Sequence, residues 1–76
     1  MSEINVKLVS LRNVILKEHL FNMQNSKLPV TQICKHFQIK DLVWSDIDEP
    51  LPADDNGYSK MTFAGMKSIN VRGTAL

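Results

Sequence analysis

The sequence lacks the features of several large protein classes. Its single cysteine, Cys34, excludes an intrachain disulfide framework. No apolar run exceeds three residues, whereas a membrane-spanning helix needs about 20. The chain opens without a charged segment followed by an apolar stretch and a small-residue cleavage site, the pattern of a secretory leader. These absences predict a soluble protein of a reducing compartment, in practice the cytoplasm.

The motifs of common catalytic and cofactor sites are also missing. Cys34 and His36 are two residues apart, so on a helix they point away from each other, and no second cysteine completes a zinc site. The acids that begin with Asp46 and Asp48 resemble a calcium loop, but Pro50 occupies the third ligand position. None of the three glycines is followed by the lysine of a phosphate-binding loop. We therefore predict a protein without metal or cofactor that is not an enzyme.

What the chain does have is the composition of a small globular domain. Its 76 residues are 43% hydrophobic and 22% charged, which predicts one folded domain spanning residues 1–76. A domain of this size buries only about 60% of the surface that its unfolded chain exposes. Self-association is a common way for such a domain to gain stability, so we expect a homodimer.

The net charge of +1 conceals three blocks of different sign. Residues 1–40 carry six basic and two acidic residues, residues 41–55 carry six acidic residues and no basic one, and residues 56–76 add three basic residues. This segregation indicates either a dipolar surface with a basic face for an acidic partner, or an acidic loop that is simply solvated.

Residues 6–24 are predicted to form a first helix. Ile4, Val6 and Leu8 alternate, which alone would suit a strand, but no glycine or proline interrupts the chain before Pro29. Helical spacing relates the next apolar residues, which are Leu11, Val14, Ile15, Leu16, Leu20, Phe21 and Met23. Their broad apolar face is expected to pack across the next segment of the chain.

The segment 30–48 has the spacing of two short helices that cross steeply. Its inward residues are Ile33, Cys34, Phe37, Ile39, Trp44 and Ile47. The first three share one face of a helix, and the last two are three apart on a second helix that must end before Pro50. An apolar turn residue between them lets the two helices bury all six side chains together.

This pattern resembles the helix-turn-helix superfamily of DNA-binding proteins, over residues 30–48 only. Thr31 stands where the family often has a Ser or Thr cap, Cys34 where it has a small residue at the helix crossing, and Ile39 where it has an aliphatic residue after the turn. Gln38 departs from the family, which prefers Gly at a turn position that is often left-handed. The resemblance implies that the second helix of the pair reads duplex DNA in the major groove.

The remaining third of the chain begins with a clear break. Pro50, Pro52 and an Asn-Gly pair predict an acidic loop over residues 50–57. Residues 58–73 admit two interpretations, a helix that Gly65 weakens or a β-hairpin that turns at Gly65, and the hairpin is favoured. The predicted fold is therefore mainly α, with a three-helix core of helix-turn-helix type and a possible C-terminal hairpin that would serve as a wing.

The first hypothesis for function is a small transcriptional regulator that binds duplex DNA as a homodimer. The side chains expected to contact phosphates or bases are Thr31, Gln32, Lys35, Gln38, Lys40, Ser45, Lys60, Lys67 and Arg72.

The acids of the predicted third helix suggest a second hypothesis, because carboxylates oppose phosphates. The chain would then be a non-enzymatic protein-interaction module, such as an antirepressor or an inhibitor of a nucleic-acid-binding machine, that docks onto a basic protein surface. The contact residues would be Asp41, Leu42, Val43, Asp46 and Asp48. A purely structural explanation is also open, in which Leu42 and Val43 pack under the C-terminal segment.

Overall fold

The chain folds into a mixed five-stranded sheet with one helix packed against one of its faces. The computed structural model describes residues 2–76, apart from the side chain of Ser2. The elements in chain order are β1 (Ser2–Val9), β2 (Ile15–Met23), α1 (Val30–Phe37), β3 (Ile39–Trp44), β4 (Glu49–Pro50) and β5 (Ser68–Ala75). The strand order across the sheet is β2-β1-β5-β3-β4. β1 and β5 run parallel, and the other neighbouring strands run antiparallel.

The prediction of a mainly α fold with a helix-turn-helix core is wrong. Residues 30–48 contain α1, the strand β3 and the turn after it, so the second helix of the predicted pair does not form. Ile47 lies in that turn and is exposed instead of buried. The predicted C-terminal hairpin is also absent, because β5 is a single strand that pairs with β1 and β3.

The first helix is absent because residues 6–24 form a β-hairpin. The chain reverses in a tight turn in which the Asn13 N–H donates to the Ser10 carbonyl and the Ser10 N–H donates to the Val14 carbonyl, both at 2.9 Å. Asn13 has φ 61°, a left-handed conformation that Asn tolerates better than most residues. The Ile4, Val6 and Leu8 alternation is thus that of a real strand whose inward face is buried.

A β-bulge explains why β2 has helix-like spacing. Leu8 pairs with Lys17 and Val9 with Ile15, so Leu16 is an extra residue without an opposite partner in β1. The bulge interrupts the alternation of side chains at Leu16, and beyond it apolar residues occupy both faces, with Leu20 opposite Asn5 and Phe21 opposite Ile4. Together these two features place apolar residues three or four apart. A similar irregularity occurs in β3, where Asp41 has φ 56° and the pairing with β5 shifts between Lys40 and Val43.

Helix α1 is the element that the sequence pattern predicted correctly. Ile33 and Phe37 are buried on its inward face, and Cys34 is half-buried beside them. The capping role of Thr31 is wrong, since the N-cap is Pro29 and no side chain caps the helix. The helix ends at Gln38, which has φ 57° and ψ 52° and whose N–H donates to the Cys34 carbonyl.

The core lies between α1 and one face of the sheet. The buried side chains that form it are Ile4, Val6, Leu8, Phe21, Met23, Leu28, Val30, Ile33, Phe37, Ile39, Leu42, Leu51, Phe63, Ile69 and Val71. Leu51 and Phe63 come from the irregular segment between β4 and β5, and the half-buried ring of Trp44 packs edge-to-face on Phe63 at 5.1 Å between ring centroids. No helix within residues 2–76 is long and apolar enough to cross a membrane.

A buried serine attaches this irregular segment to the start of α1. Ser59 is fully buried, and its Oγ accepts the Leu28 N–H at 2.9 Å and donates to the Met61 carbonyl at 2.7 Å. Nearby, Gly57 has φ +83°, and a Cβ at that position would lie 2.8 Å from Thr31 Oγ1. Glycine is therefore required where the segment passes the helix.

Candidate protein-interaction groove

The residues predicted to bind DNA do not share one surface. Gln32 and Lys35 lie on α1, which covers one face of the sheet. Arg72 lies on the other face of the sheet, where it is paired with Val43 of β3. Its guanidinium is bound to the Asp48 carboxylate.

The other predicted DNA contacts are equally scattered. Thr31 and Gln38 lie at the two ends of α1, Lys40 lies in β3, and the three that remain, Ser45, Lys60 and Lys67, lie in turns and irregular chain. No recognition helix unites them, so the expectations of DNA binding and transcription regulation through a helix-turn-helix are withdrawn.

The acidic residues of the second hypothesis are partly used inside the fold. Leu42 is only 4% exposed and belongs to the core, which agrees with the structural explanation for this residue. Asp46 accepts a hydrogen bond from Asn70 Nδ2 at 3.2 Å, and Asp48 binds Arg72. Val43 is half-buried, and Asp41 is exposed. Of the five residues, Asp41 and Val43 therefore remain available to a partner, and both line the same groove.

This groove opens where β1 and β5 separate. Their pairing ends at Leu8 and Val71, but β5 continues to Ala75. Residues 72–75 therefore have no strand partner on the side of β5 that faces β1 within the described chain. The space beside them, which we call the β1–β5 groove, has a volume of about 890 Å³.

The walls of the β1–β5 groove are mainly apolar. The β1–β2 hairpin contributes Leu8, Val9, Leu11 and Leu16, and the far wall is formed by β5 with residues 37–39. Leu11 is 84% exposed and Leu16 is 59% exposed, so the rim of the groove is uncovered apolar surface. Large apolar side chains grouped around a concavity are typical of a binding surface.

Pairing with β3 and contacts with the end of α1 hold the free edge of β5 in place. Ile39 pairs with Ala75, and the Leu76 N–H donates to the Gln38 carbonyl at 3.1 Å. The Ile39 side chain also packs directly against Gly73, because a Cβ at that position would be 2.5 Å from Ile39 Cδ1. The free edge of residues 72–75 is thus held in an extended conformation before any partner arrives.

The charge in the groove comes from Asp41 and Arg72. Arg72 is neutralised by Asp48, whereas no ion pair to Asp41 forms within residues 2–76. Burial first, and then the charge of Asp41, raise the pKa of the Cys34 thiol, so this cysteine is a poor nucleophile at neutral pH. The groove therefore presents apolar surface, an unpaired strand edge and one free carboxylate.

The signals for this site were present in the sequence but were assigned to a helix. Helical spacing assigns Leu11 and Leu16 to the apolar face of a helix, and no sequence pattern indicates a role for Leu76, which is 81% exposed. No group of three or more His, Cys, Asp or Glu side chains that could bind a metal occurs in the described part of the chain. Comparisons with known protein families, with curated proteins and with solved structures find no match to this chain.

Proposed function

We propose that this chain is a non-enzymatic protein-interaction module that binds an extended segment of a partner protein in the β1–β5 groove. The observation that carries the proposal is the unpaired edge of residues 72–75, which lies along an apolar groove. An extended peptide that adds a strand to such an edge gains main-chain hydrogen bonds, and its alternate side chains enter the apolar walls.

The chemistry of the groove defines the partner segment. Side chains that face Leu11 and Leu16 should be apolar, because burial of both surfaces supplies most of the binding free energy. A lysine or arginine should lie beside Asp41, which has no partner of its own within residues 2–76. The partner is thus a segment of alternating apolar and basic residues. The proposed partner is basic, as in the second hypothesis from sequence, but it binds the β1–β5 groove and not a third helix.

We also propose that the module works in a reducing compartment, in practice the cytoplasm. Its single cysteine, Cys34, is a free thiol on α1. Free thiols persist mainly where glutathione and thioredoxin keep them reduced.

Titration with a fluorescent heptapeptide of alternating valine and lysine, followed by anisotropy, tests the proposal. Leu11→Ser should weaken binding by about tenfold or more, because covering a large aliphatic side chain contributes on the order of 1.5 to 3 kcal/mol. Val14→Ser is the matched control, since Val14 is also exposed on the hairpin but does not line the groove. It should leave the affinity unchanged.

Two altered peptides test the main-chain pairing with β5 and the charge contact with Asp41. A heptapeptide methylated on every backbone nitrogen has no N–H to donate to β5 from either edge and should not bind. A valine-glutamate heptapeptide should bind more weakly than the valine-lysine one, and Asp41→Asn should reduce this difference. Asn is a suitable replacement because it tolerates the left-handed conformation at this position. Equal binding of the methylated and unmethylated peptides would exclude strand addition and with it the proposed function.

A further inference from the structure

The two outer edges of the sheet differ in how they are protected. β4 forms one edge and is only two residues long, with an acidic residue at Glu49 and a proline, which has no N–H, at Pro50. Short strands, charges and proline are common ways to prevent an edge from pairing with another chain. β2 forms the opposite edge, spans nine residues and contains no proline. Its edge is the one open to another strand.

The side chains of β2 also favour a partner. Ile15, Leu16 and Leu20 are each at least half exposed. Pairing across the sheet places Leu20 and Glu18 on the face opposite α1, beside Asn5 and Lys7, and His19 on the face of α1, beside Val6. A long exposed strand edge with this apolar content is expected to associate.

We propose that β2 pairs antiparallel with β2 of a second copy of this chain, so that the two sheets become one ten-stranded sheet around a two-fold axis. A second copy is favoured because its β2 has the same free edge, length and apolar side chains, and a two-fold contact makes such a surface complementary to itself. The proposal does not depend on the peptide-binding function of the β1–β5 groove.

The charged side chains of β2 exclude several registers of this pairing. In a two-fold antiparallel pair, one residue faces its own copy, and residues equally far from it on either side face each other. We call the residue that faces its own copy the centre of the pairing. A centre at Lys17 or Glu18 would place like charges opposite each other, which is destabilising. A centre at His19 would place the two imidazoles opposite each other and Glu18 against an apolar side chain.

A centre at Leu20 avoids these conflicts. Leu20 then meets its own copy, Glu18 faces Asn22 of the partner strand, and His19 faces Phe21 of the partner strand. The first contact is apolar, the second allows an amide to donate to a carboxylate, and the third places two aromatic rings side by side. A centre at Phe21 would also keep like charges apart, but Phe21 is only 8% exposed and Leu20 would then face Asn22 of the partner strand. The structure therefore assigns the register centred on Leu20 as the interface.

Sedimentation velocity over a range of protein concentrations tests the association. The protein should change from monomer to dimer as the concentration rises, and Leu20→Lys should weaken the dimer by about tenfold or more, because two lysines would then face each other. Ile47→Lys is the matched control. Ile47 is 53% exposed and Leu20 is 57% exposed, but Ile47 lies in the turn beside the opposite edge.

A cysteine cross-link tests the register itself. In a Cys34→Ser background, Leu20→Cys should form a disulfide-linked dimer under mild oxidation, because the two side chains face each other across the axis. Glu18→Cys should not, because the two copies of this residue would lie on the order of 14 Å apart along the strands. A native protein that stays monomeric at hundreds of micromolar, an equal effect of Leu20→Lys and Ile47→Lys, or equal cross-linking by the two cysteine variants would overturn the proposal.

Discussion

Replacing Ser59 by alanine tests whether the irregular segment between β4 and β5 is part of the cooperative fold. The Ser59 Oγ is the acceptor for the Leu28 N–H and the donor to the Met61 carbonyl. Leu28 is fully buried, so its N–H would lose its partner away from water at a cost of about 1 to 3 kcal/mol. Met61 is partly exposed, so its carbonyl can bind water and adds at most about 1 kcal/mol.

The expected loss is about 2 to 3 kcal/mol in the free energy of unfolding, measured by urea titration. This is a large part of the stability of a domain of 76 residues. Ser45→Ala is the control, because its Oγ makes a single long contact of 3.4 Å to Asn13 Oδ1 at the surface, and its loss should cost less than about 0.5 kcal/mol. A similarly small effect of Ser59→Ala would refute the reasoning, since it would mean that water reaches the Leu28 N–H.

Two further predictions concern titrating groups. Burial and the charge of Asp41 raise the pKa of Cys34 above its ordinary value of 9.0, so labelling of the native protein by a thiol reagent should be slow at pH 7 and accelerate above pH 9. Asp41→Asn should increase the native labelling rate, and an unchanged rate would contradict the electrostatic part of this explanation. The backbone N–H of Tyr58 is the main cause of a lowered pKa at Asp54, so the carboxylate contributes stability above its ordinary value of 3.8 that is lost as the pH falls through the lower value of the folded state. Acid unfolding followed by circular dichroism should therefore be less steep below pH 4 for Asp54→Asn than for the parent, and identical curves would contradict it.

The sequence was sufficient to predict α1 because this helix satisfies a local rule. Ile33, Cys34 and Phe37 fall three or four apart, and the helix buries them without help from an irregular backbone. Gln38 also lies where the left-handed turn was expected, although it is not glycine. The chain after Gln38 obeys no such local rule, because β3 exists only as a partner of β4 and β5.

The two β-bulges explain the largest error of sequence interpretation. An extra residue at Leu16 and a left-handed residue at Asp41 give strands the apolar spacing of a helix. The hairpin turn at Asn13 lacks the Asn-Gly or Asp-Gly pair that marks the commonest turns, so no local signal divided residues 6–24. Periodicity alone cannot distinguish a bulged strand from a helix of the same composition.

The candidate groove could not be predicted because it depends on a pairing between the two ends of the chain. Leu8 and Val71 are neighbours in parallel strands, and no turn signal joins them. The groove exists because β5 is longer than its pairing with β1, which is a property of the sheet and not of either segment. Only Asp41 and Val43 were assigned to a protein partner from sequence and are found at the groove.

The proposed dimer would fix how two β1–β5 grooves are placed. Both grooves lie beside the hairpin turn, about six residues along β2 from Leu20, and a strand rises roughly 3.4 Å per residue. Each groove is therefore about 20 Å from the two-fold axis along the strand direction, and the antiparallel arrangement puts the two at opposite ends, at least roughly 40 Å apart. An extended chain needs about 12 residues to cover that distance. A partner with two binding segments closer than this would occupy one groove only, so the spacing of its segments, as well as their sequence, would decide whether it gains from bivalent binding.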